Sequence, residues 1–394
     1  MRAGWTAAVI EGHVTRGITF FKFPEREQWH HRWRQLKIPL AVGSFLLVYG
    51  IIVHTATLYT ADVTLPSPLC FGDGTPANWT DMSYLAKHLW RPYLHNIASK
   101  SFIADNGEHY KIPSGSYRWT ETFGKKLIIL DVDSRPNTNT GEILNGEKPD
   151  LSKITGRTAG FMSHYLYSMI HGYDYRLVRA PNYNDRHGTW VKVPMIKEAL
   201  KSHDIVVFLD ADAEFVHPHL PLEWLMSFWN ITPRTLVAMA EDPDESYNKD
   251  DKGRLLWNTG FIIAQQSNRT QEMFDAWENC PTGDRYPGCN RWLKEWAHEQ
   301  AAFGYHLRYD YNGPEELRTI PCDQGNGAPY IGNNKCRGVF VRHHWWEKDR
   351  TIRSLYDSIL NLFVRRLYGQ FHGEKSRYFL DASKYQYPIH DLVV

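Results

Sequence analysis

Asp204–Glu214, which reads DIVVFLDADAE, is the stretch that decides how this chain of 394 residues folds. Its centre, Ile205–Leu209, is a short apolar run, and this pattern predicts a buried strand. Two carboxylates separated by one residue, Asp210 and Asp212, follow at once. In extended geometry both lie on the same face, so both are predicted to reach one divalent cation. The alternative is a helix N-cap or a turn, since Asp is common in both.

The segments around this strand alternate between strand and helix patterns. Further strands are predicted at Lys126–Leu130, Tyr175–Val178, Leu236–Ala240, Phe261–Ala264 and Val339–Val341. Helices are predicted at Ser163–His171, Val191–Leu200, Arg269–Glu278, Trp292–Phe303 and Lys348–Phe371. This alternation predicts an α/β fold with a mainly parallel central sheet flanked by helices, which binds ligands at the carboxyl ends of its strands.

Two further groups of polar residues lie beside predicted strands. Asp131 and Asp133 follow the first strand, which usually lines the nucleoside pocket in nucleotide-binding α/β folds, so we assign them to nucleotide contact or to turn formation. Asn258 and Gly260 precede the strand Phe261–Ala264. They either admit a sugar close to the backbone or form a tight turn.

Candidate ligands and catalytic groups also occur later in the chain. Glu299 and Gln300 lie in a predicted helix next to two alanines, where they line a cleft or face solvent. His343 and His344 follow the last strand, and a neutral imidazole complements two carboxylates at a manganese-like ion. Adjacent strand residues point to opposite faces, so only one of these histidines is expected at the site. The alternative is a hydrogen-bonded core histidine.

The N-terminal sequence predicts a membrane anchor. Ile38–Leu58 carries no formal charge and is long enough to span a bilayer as a helix, and basic residues precede it. We interpret it as an uncleaved signal anchor with the later residues in the lumen. A cleavable signal peptide and a buried helix are the alternatives.

Cysteines and glycosylation sequons support this topology. All five cysteines, Cys70, Cys280, Cys289, Cys322 and Cys336, follow the apolar segment, although their pairing cannot be inferred. Sequons begin at Asn78, Asn230 and Asn268. Together these features predict a single-pass protein of the Golgi or endoplasmic reticulum membrane. The balance of 45 basic against 44 acidic residues gives no field that would attract nucleic acid.

The order of several short motifs resembles family 34 glycosyltransferases, the galactosyl- and mannosyltransferase group of fungi and plants. The matching segments are His171–Asp174, Trp190–Pro194, Asp210–Ala213, Asn258–Gly260, Asp275–Trp277 and Val341–His343. They lie in register within roughly residues 124–346. The sequence departs from the family at Glu299, where Asp is usual, and in the residues after His343.

The resemblance implies a GT-A fold, a UDP- or GDP-sugar donor, Mn²⁺ and transfer with retention at the anomeric carbon. Asp210 and Asp212 would bind the metal with His343 as an added ligand, and Lys192 would lie near the donor phosphates. Galactose or mannose is the expected sugar, and a glycan is the expected acceptor. Assembly into a complex with other glycosyltransferases is a further expectation.

The face opposite the leaving group has three candidate catalytic residues, Asp242, Glu299 and Gln300. Attack from the front face without an enzyme nucleophile is equally open. Two other functions are considered, a carbohydrate-binding or scaffold protein without turnover and a metal-dependent phosphohydrolase. The hydrolase is disfavoured because no further His and Asp ligands cluster along the chain.

We expect five regions. They are a cytosolic tail at 1–37, the anchor at 38–58, a stem and domain edge at 59–121, a catalytic domain at 122–347 and a C-terminal helix and tail at 348–394.

Overall fold

A mixed six-stranded sheet forms the centre of the protein in the computed structural model, which describes residues 80–146, 148, 150–330, 335–379 and 381. The predicted anchor Ile38–Leu58, Cys70 and the sequon at Asn78 lie outside the described residues. All the described residues belong to one unit, Asn78–Val394. None of the helices in this described part has both the length and the hydropathy of a membrane span.

Ten strands are present in the described residues. They are β1 (Ser101–Ile103), β2 (His109–Lys111), β3 (Leu127–Asp133), β4 (Asp174–Arg179), β5 (Ile205–Leu209), β6 (Ala213–Phe215), β7 (Val237–Glu241), β8 (Trp257–Gln265), β9 (Leu317–Ile320) and β10 (Val341–His343).

The α-helices of the described residues lie between and after these strands. They are α1 (Met82–Trp90), α2 (Gly156–His171), α3 (Lys192–Ala199), α4 (Leu222–Phe228), α5 (Asn268–Glu278), α6 (His298–Ala302), α7 (Arg308–Asp310), α8 (Cys322–Gly325), α9 (Arg350–Gly373) and α10 (Lys375–Tyr378).

The strand order of the central sheet is β4-β3-β5-β8-β7-β9. β3 pairs in parallel with β4 and β5, and β7 pairs in parallel with β9, whereas β8 is antiparallel to both β5 and β7. The predicted α/β fold is therefore confirmed, with a mixed sheet in which β8 alone is reversed. Because of this reversal, the first residues of β8 lie beside the carboxyl ends of β5 and β7.

Local boundaries differ from the prediction at several elements; α2 begins at Gly156 and not at Ser163, and β10 is Val341–His343 and not Val339–Val341. β3 continues through Asp133, so the first carboxylate pair lies inside the strand. Asn258–Gly260 is part of β8, and the predicted tight turn there is wrong. The predicted helix Trp292–Phe303 is broken, since α6 begins only at His298 and continues as a π-helical segment, Phe303–Leu307.

The core lies on both faces of the sheet. The predicted inward face of α5 is confirmed, because Met273, Phe274 and Trp277 are fully buried. On the opposite face, Trp224 and Phe340 belong to a second buried cluster that covers β5, β8 and the β6–β10 pair. These two layers hold the carboxyl edge of the sheet in place.

Two antiparallel strands, β6 and β10, cross this edge. Their register pairs Ala213 with His343 and Phe215 with Val341. Val339 and Phe340, just before β10, donate main-chain hydrogen bonds to the carbonyls of Asp323 and Gln324 in α8, at 2.9 and 3.0 Å. α8 therefore supports the strand that carries His343.

The structure also gives the cysteine pairing within the described residues. Cys280 is bonded to Cys289, and Cys322 is bonded to Cys336, which ties α8 to the segment before β10.

The burial of side chains on the C-terminal helix α9 changes along its length. Leu355, in its first half, is buried against α2 and α1. Phe363, in its second half, is 60 % exposed, and every residue from there to Gly373 is exposed.

Candidate active site

Asp210 and Asp212 lie in a turn between β5 and β6. The Ala213 amide donates to the Asp210 carbonyl at 2.8 Å, and the Asp210 amide donates to the Gly260 carbonyl at 2.8 Å. The extended geometry predicted for the pair is therefore wrong. The turn nevertheless directs both carboxylates to the same side.

His343 completes a cluster with these carboxylates. One ligand atom from each of the three residues lies within 4.8 Å of the others. The His343 Nε2 is 3.2 Å from Asp212 Oδ1 and 3.8 Å from Asp210 Oδ2. His344 points away and bonds to Glu214 through Nε2 at 3.1 Å, so only one of the adjacent histidines reaches the cluster, as predicted.

Two lysines contact this cluster from different elements. Lys192, which is buried at the start of α3, donates to Asp210 Oδ1 at 2.8 Å. Lys348, before α9, lies 2.6 Å from Asp212 Oδ2. Each lysine contacts one oxygen of its carboxylate, and the other oxygen faces His343.

The arrangement fits a divalent cation. Two carboxylate oxygens and one imidazole nitrogen converge, and this donor set suits an ion of the manganese type. The lysines balance the remaining carboxylate charge without taking the oxygens that face His343.

Trp345 contacts the other nitrogen of the His343 ring. Its indole N–H donates to Nδ1 at 2.9 Å. An indole nitrogen only donates, so Nδ1 is the acceptor and the neutral ring carries its proton on Nε2. Ligation through Nε2 requires the other tautomer, in which Nδ1–H would face the Trp345 N–H.

Two glycines allow the close packing of this region. A Cβ atom at Gly160 in α2 would lie 1.9 Å from the Ala211 carbonyl oxygen. A Cβ atom at Gly260 would lie 2.2 Å from Cε1 of His343. The absence of side chains at both positions lets α2 and β8 approach the carboxylate turn and the imidazole.

A cavity of about 440 Å³ opens beside the carboxylates. Its charged lining residues are Asp133, Arg135, Arg157, Lys192, Asp210, Asp212 and Lys348. Four of these side chains are cationic and three are carboxylates, so the lining has a formal net charge of +1. The cavity therefore combines a candidate cation site with groups that attract anions.

The two members of the first carboxylate pair have different environments. Asp133 lines the cavity and pairs with Arg135 at 2.8 Å and with Arg157 at 3.2 Å. Asp131 is fully buried, and its two oxygens are bonded to His164 and Tyr175, both at 2.8 Å. Only Asp133 is thus placed to contact a ligand in the cavity.

The candidate catalytic residue Asp242 lies in a buried network of amide side chains. Its Oδ1 accepts from Asn258 at 2.9 Å and from Asn326 at 3.3 Å, and its Oδ2 accepts from Gln300 at 2.5 Å. Burial raises the pKa of Asp242, which these hydrogen bonds oppose. Asp242 does not line the cavity.

Glu299 connects this network to the lysine. Its Oε1 accepts from Thr259 at 2.9 Å and lies 3.4 Å from Lys192 Nζ, and its Oε2 accepts from Thr189. The side-chain oxygen Oε1 of Gln300 accepts a hydrogen bond from the main-chain amide of Thr259 at 3.1 Å. Glu299, Gln300 and Asp242 are therefore brought together behind the first residues of β8.

Opposite charges fix the protonation of two groups beside the cavity. Burial alone would lower the pKa of Lys192, but Asp210 and Glu299 outweigh it and raise that pKa. Burial would raise the pKa of Asp212, but His343 and Lys348 outweigh it and lower that pKa. In the absence of a cation, a charged lysine and an ionised carboxylate are the stable forms.

Lys348, Arg157 and Asn326 were not predicted from the sequence. Lys348 follows the candidate ligand His343 by five residues, and this short spacing could have indicated that its side chain lies near the cation site. Arg157 and Asn326 reach Asp133 and Asp242 only through tertiary packing, so no local pattern identifies them.

Comparisons with known proteins agree with the motif assignment. The family model of the galactosyl transferase GMA12/MNN10 family matches residues 161–316, a region that contains α3, the Asp210 turn, β8 and α6. No curated protein sequence matches the chain.

The solved structures that a structural comparison matches to the chain include two transferases of low sequence identity. A glycosyltransferase involved in the glycosylation of the major capsid of PBCV-1 is 13 % identical, with a TM-score of 0.42, over 58 % of this chain and 98 % of that chain. The galactosyltransferase LgtC, in complex with donor and acceptor sugar analogues, is 12 % identical, with a TM-score of 0.33, over 59 % of this chain and 95 % of that chain.

The matched region includes five of the six motifs that carried the resemblance, from His171–Asp174 to Asp275–Trp277, and the carboxylate turn is one of them. The resemblance predicted from the sequence is thereby confirmed for residues 161–316, which are similar to the galactosyl transferase GMA12/MNN10 family.

Proposed function

We propose that this protein transfers a hexose, galactose or mannose, from a UDP- or GDP-sugar to a glycan acceptor, with a divalent cation such as Mn²⁺ and a GT-A type fold. The observation that carries the proposal is the convergence of Asp210, Asp212 and His343 at the edge of a cavity lined by cationic side chains. When bound there, a divalent cation supplies charge neutralisation at a diphosphate.

The charges of the cavity favour a diphosphate group. A divalent cation would change the formal net charge of the lining from +1 to +3. Lys192 and Lys348 lie on two sides of the carboxylates and are placed to stabilise negative charge on a departing nucleoside diphosphate. Arg135 and Arg157, which pair with Asp133, add positive charge to the cavity lining.

The hydrogen bonds of the buried carboxylates support retention by front-face attack. Both oxygens of Asp242 and both oxygens of Glu299 already accept hydrogen bonds, which makes each a poor nucleophile. In the proposed reaction the bond from C1 to the diphosphate oxygen breaks with its electron pair on the diphosphate. The acceptor oxygen bonds to C1 on the same face and its proton passes to the departing phosphate oxygen.

Nucleotide release from the purified full-length protein tests the function. The protein is incubated with UDP-galactose or GDP-mannose, an oligosaccharide panel, and MnCl₂ or EDTA. We expect release that needs the cation and increases with an acceptor. Asp210→Asn and Asp212→Asn should each lower the rate roughly 100-fold or more, because each replaces a charged carboxylate beside the cation with a neutral amide.

Asp244→Asn is the matched control, since this carboxylate is 71 % exposed and pairs only with Lys249 among the described residues. Glycan binding without nucleotide release would favour the non-catalytic carbohydrate-binding protein. Cleavage of simple phosphate esters would favour the phosphohydrolase. The anomeric proton of the product in the NMR spectrum decides between retention and inversion.

We further propose that the protein is anchored in the Golgi or endoplasmic reticulum membrane by Ile38–Leu58, with its catalytic part in the lumen. The pairing of four cysteines in two disulfides supports an oxidising compartment. Asn268 is exposed at the start of α5, where a glycan has space.

Glycosidase digestion and membrane extraction test this location. Digestion is expected to increase the gel mobility of the wild-type protein, and Asn268→Gln should reduce the shift by one glycan. Release of the protein from membranes by alkaline carbonate without detergent would contradict the anchor.

A further inference from the structure

Two large aromatic side chains are exposed side by side at the surface. Tyr247 is 67 % exposed and Trp296 is 60 % exposed. Their ring centroids are 6.3 Å apart and their planes meet at 59°. We call them the aromatic pair. Two such rings contribute apolar surface that ordinary packing would bury, and grouped exposure of this kind indicates a binding surface.

The aromatic pair lies on the two segments that lead to the candidate catalytic residues. Trp296 precedes Glu299 by three residues, so their Cα atoms are within about 11 Å at 3.8 Å per peptide step. Tyr247 follows Asp242 by five residues, within about 19 Å by the same count. The two rings meet although 49 residues separate them in the sequence.

The segment that carries Tyr247 is fixed by a buried asparagine. The Asn248 side chain donates to the Pro243 carbonyl at 3.0 Å, and its main-chain carbonyl accepts from Leu256 at 2.7 Å. Tyr247 itself lies on a short 3₁₀ turn, Ser246–Asn248. The ring is therefore held outward by a rigid loop.

The segment that carries Trp296 is fixed against the cavity. The His298 ring stacks on His187 with centroids 3.7 Å apart and an interplanar angle of 10°. His187 lines the cavity beside Thr189 and Lys192. Trp296 is thus two residues from a side chain that packs directly on the cavity wall.

We propose that Tyr247 and Trp296 form an acceptor subsite that stacks a pyranose ring of a neutral oligosaccharide. The inference rests on the proposed transferase function and names the residues that receive its second substrate. The C–H faces of a pyranose are apolar and pack on aromatic rings, whereas its hydroxyls stay in water. Glu245 and Glu295 flank the aromatic pair together with Lys249 and Lys294, so the formal charge beside it is balanced and gives no net attraction to an anionic glycan.

A binding titration tests the subsite without any donor or cation. Tryptophan fluorescence and saturation-transfer NMR are followed as mannotetraose, cellotetraose or tetragalacturonate is added to the full-length protein. We expect at least one neutral tetrasaccharide to bind and tetragalacturonate to bind no more tightly. Trp296→Ala and Tyr247→Ala should each weaken binding about tenfold, and Trp296→Phe should keep most of it.

Phe363→Ala is the matched control, because Phe363 on α9 has the same exposed fraction as Trp296. It should bind the oligosaccharide as the wild type does. All variants should keep the wild-type unfolding temperature, since the altered side chains are exposed.

Transfer kinetics separate the subsite from the proposed function. The KM for the acceptor should rise about tenfold in Trp296→Ala with a much smaller change in the KM for the donor. An unchanged acceptor KM in the double variant Tyr247→Ala/Trp296→Ala, tighter binding of tetragalacturonate than of both neutral sugars, or no binding of either neutral sugar would overturn the subsite. Oligosaccharide binding that depends on Trp296, without any nucleotide release, would keep the subsite and overturn the transferase.

Discussion

Gly260 is the residue that most directly controls the position of His343. In Gly260→Ala the new methyl would lie 2.2 Å from the imidazole, so the ring must shift from its position beside Asp210 and Asp212. We expect a loss of nucleotide release of roughly tenfold or more, and a loss of about 1–3 kcal/mol in the free energy of unfolding. Cation titration and urea unfolding measure the two effects.

Gly146→Ala is the control for this variant, since a Cβ there would meet no atom within 4 Å. It should keep wild-type activity. Wild-type cation binding in Gly260→Ala would show that the imidazole is not required at the cation site.

Trp345 is expected to oppose cation binding. Its N–H holds the His343 proton on Nε2, the nitrogen that faces the carboxylates. Trp345→Phe removes this donor and keeps an aromatic ring, so the affinity for Mn²⁺ should increase about fivefold, the equivalent of one hydrogen bond of about 1 kcal/mol. Calorimetric titration measures it, with Trp346→Phe, a change at an 80 % exposed neighbour, as the control. Weaker binding in Trp345→Phe would mean that the indole supports ligation.

At the residue scale, the sequence identified the groups whose chemistry is local. Asp210 and Asp212 stand out because ionised side chains are costly beside a buried strand, and the structure brings them together with His343. Asp131 has the same local pattern, yet His164 and Tyr175 satisfy it inside the core. The pair Asp131/Asp133 and the pair Asp210/Asp212 differ in their tertiary partners. The local sequence pattern of two aspartates separated by one residue does not specify these partners.

Among the elements, α8 and its disulfide have the clearest effect on the site. Removing the Cys322–Cys336 bond, which closes a loop of separation 14, is expected to lower the free energy of unfolding by about 3 kcal/mol. α8 also supports β10, so the double variant Cys322→Ser/Cys336→Ser should bind the cation more weakly. Urea unfolding and calorimetric titration measure both changes.

The Cys280–Cys289 disulfide is the control for this double variant. Its cysteines are 9 positions apart in the sequence, so its removal is expected to lower the free energy of unfolding by a similar amount. Cys280→Ser/Cys289→Ser should keep wild-type cation affinity, because Cys280 and Cys289 belong to the buried cluster of Met273, Phe274 and Trp277, whereas Val341 of β10 belongs to the other cluster. Equal effects of the two double variants on the cation would argue against a specific role for α8.

Sequence patterns predicted the existence of most elements and failed where direction or continuity depends on packing. The strand pattern of β8 was recognised, but its antiparallel direction follows from pairing with β5 and β7, which hydropathy does not encode. Asn258–Gly260 has turn-forming residues and is still part of the strand, because Asn258 is bonded to Asp242. The predicted helix at Trp292–Phe303 is interrupted where His298 takes a positive φ of 57°.

For the whole molecule, buried histidines make stability depend on pH. Burial lowers the pKa of His171 and of His217 to about 4, below the 6.5 of an unfolded histidine. The unfolded chain therefore binds more protons between pH 6.5 and 4, and stability is lost as the pH falls through this window. Each group contributes on the order of 1–3 kcal/mol.

His217→Gln isolates one of these contributions. Urea unfolding at pH 7.5 and pH 5 should give a smaller difference for this variant than for the wild type. His372→Gln, at an exposed position of α9, should keep the wild-type difference. An identical pH dependence in all three proteins would show that His217 is not held neutral.

At this scale the alternation of strand and helix patterns predicted the α/β class, and the order of motifs predicted the family resemblance, because both signals are distributed along the chain. The predicted regional boundaries, the anchor and the lumenal location stay predictions, since the residues that decide them lie outside the described part.

The hydrogen bond between Asp212 and His343 joins residues that are 131 positions apart. Such a ligand set exists only after β5, β6 and β10 have assembled, so a metal held there would bind the native chain and have little affinity for the unfolded one. Ligand occupancy and the folding equilibrium are then thermodynamically linked, and a metal at 100 times its dissociation constant would add about 2.7 kcal/mol to the native state. Chelation would weaken the native state by the same amount.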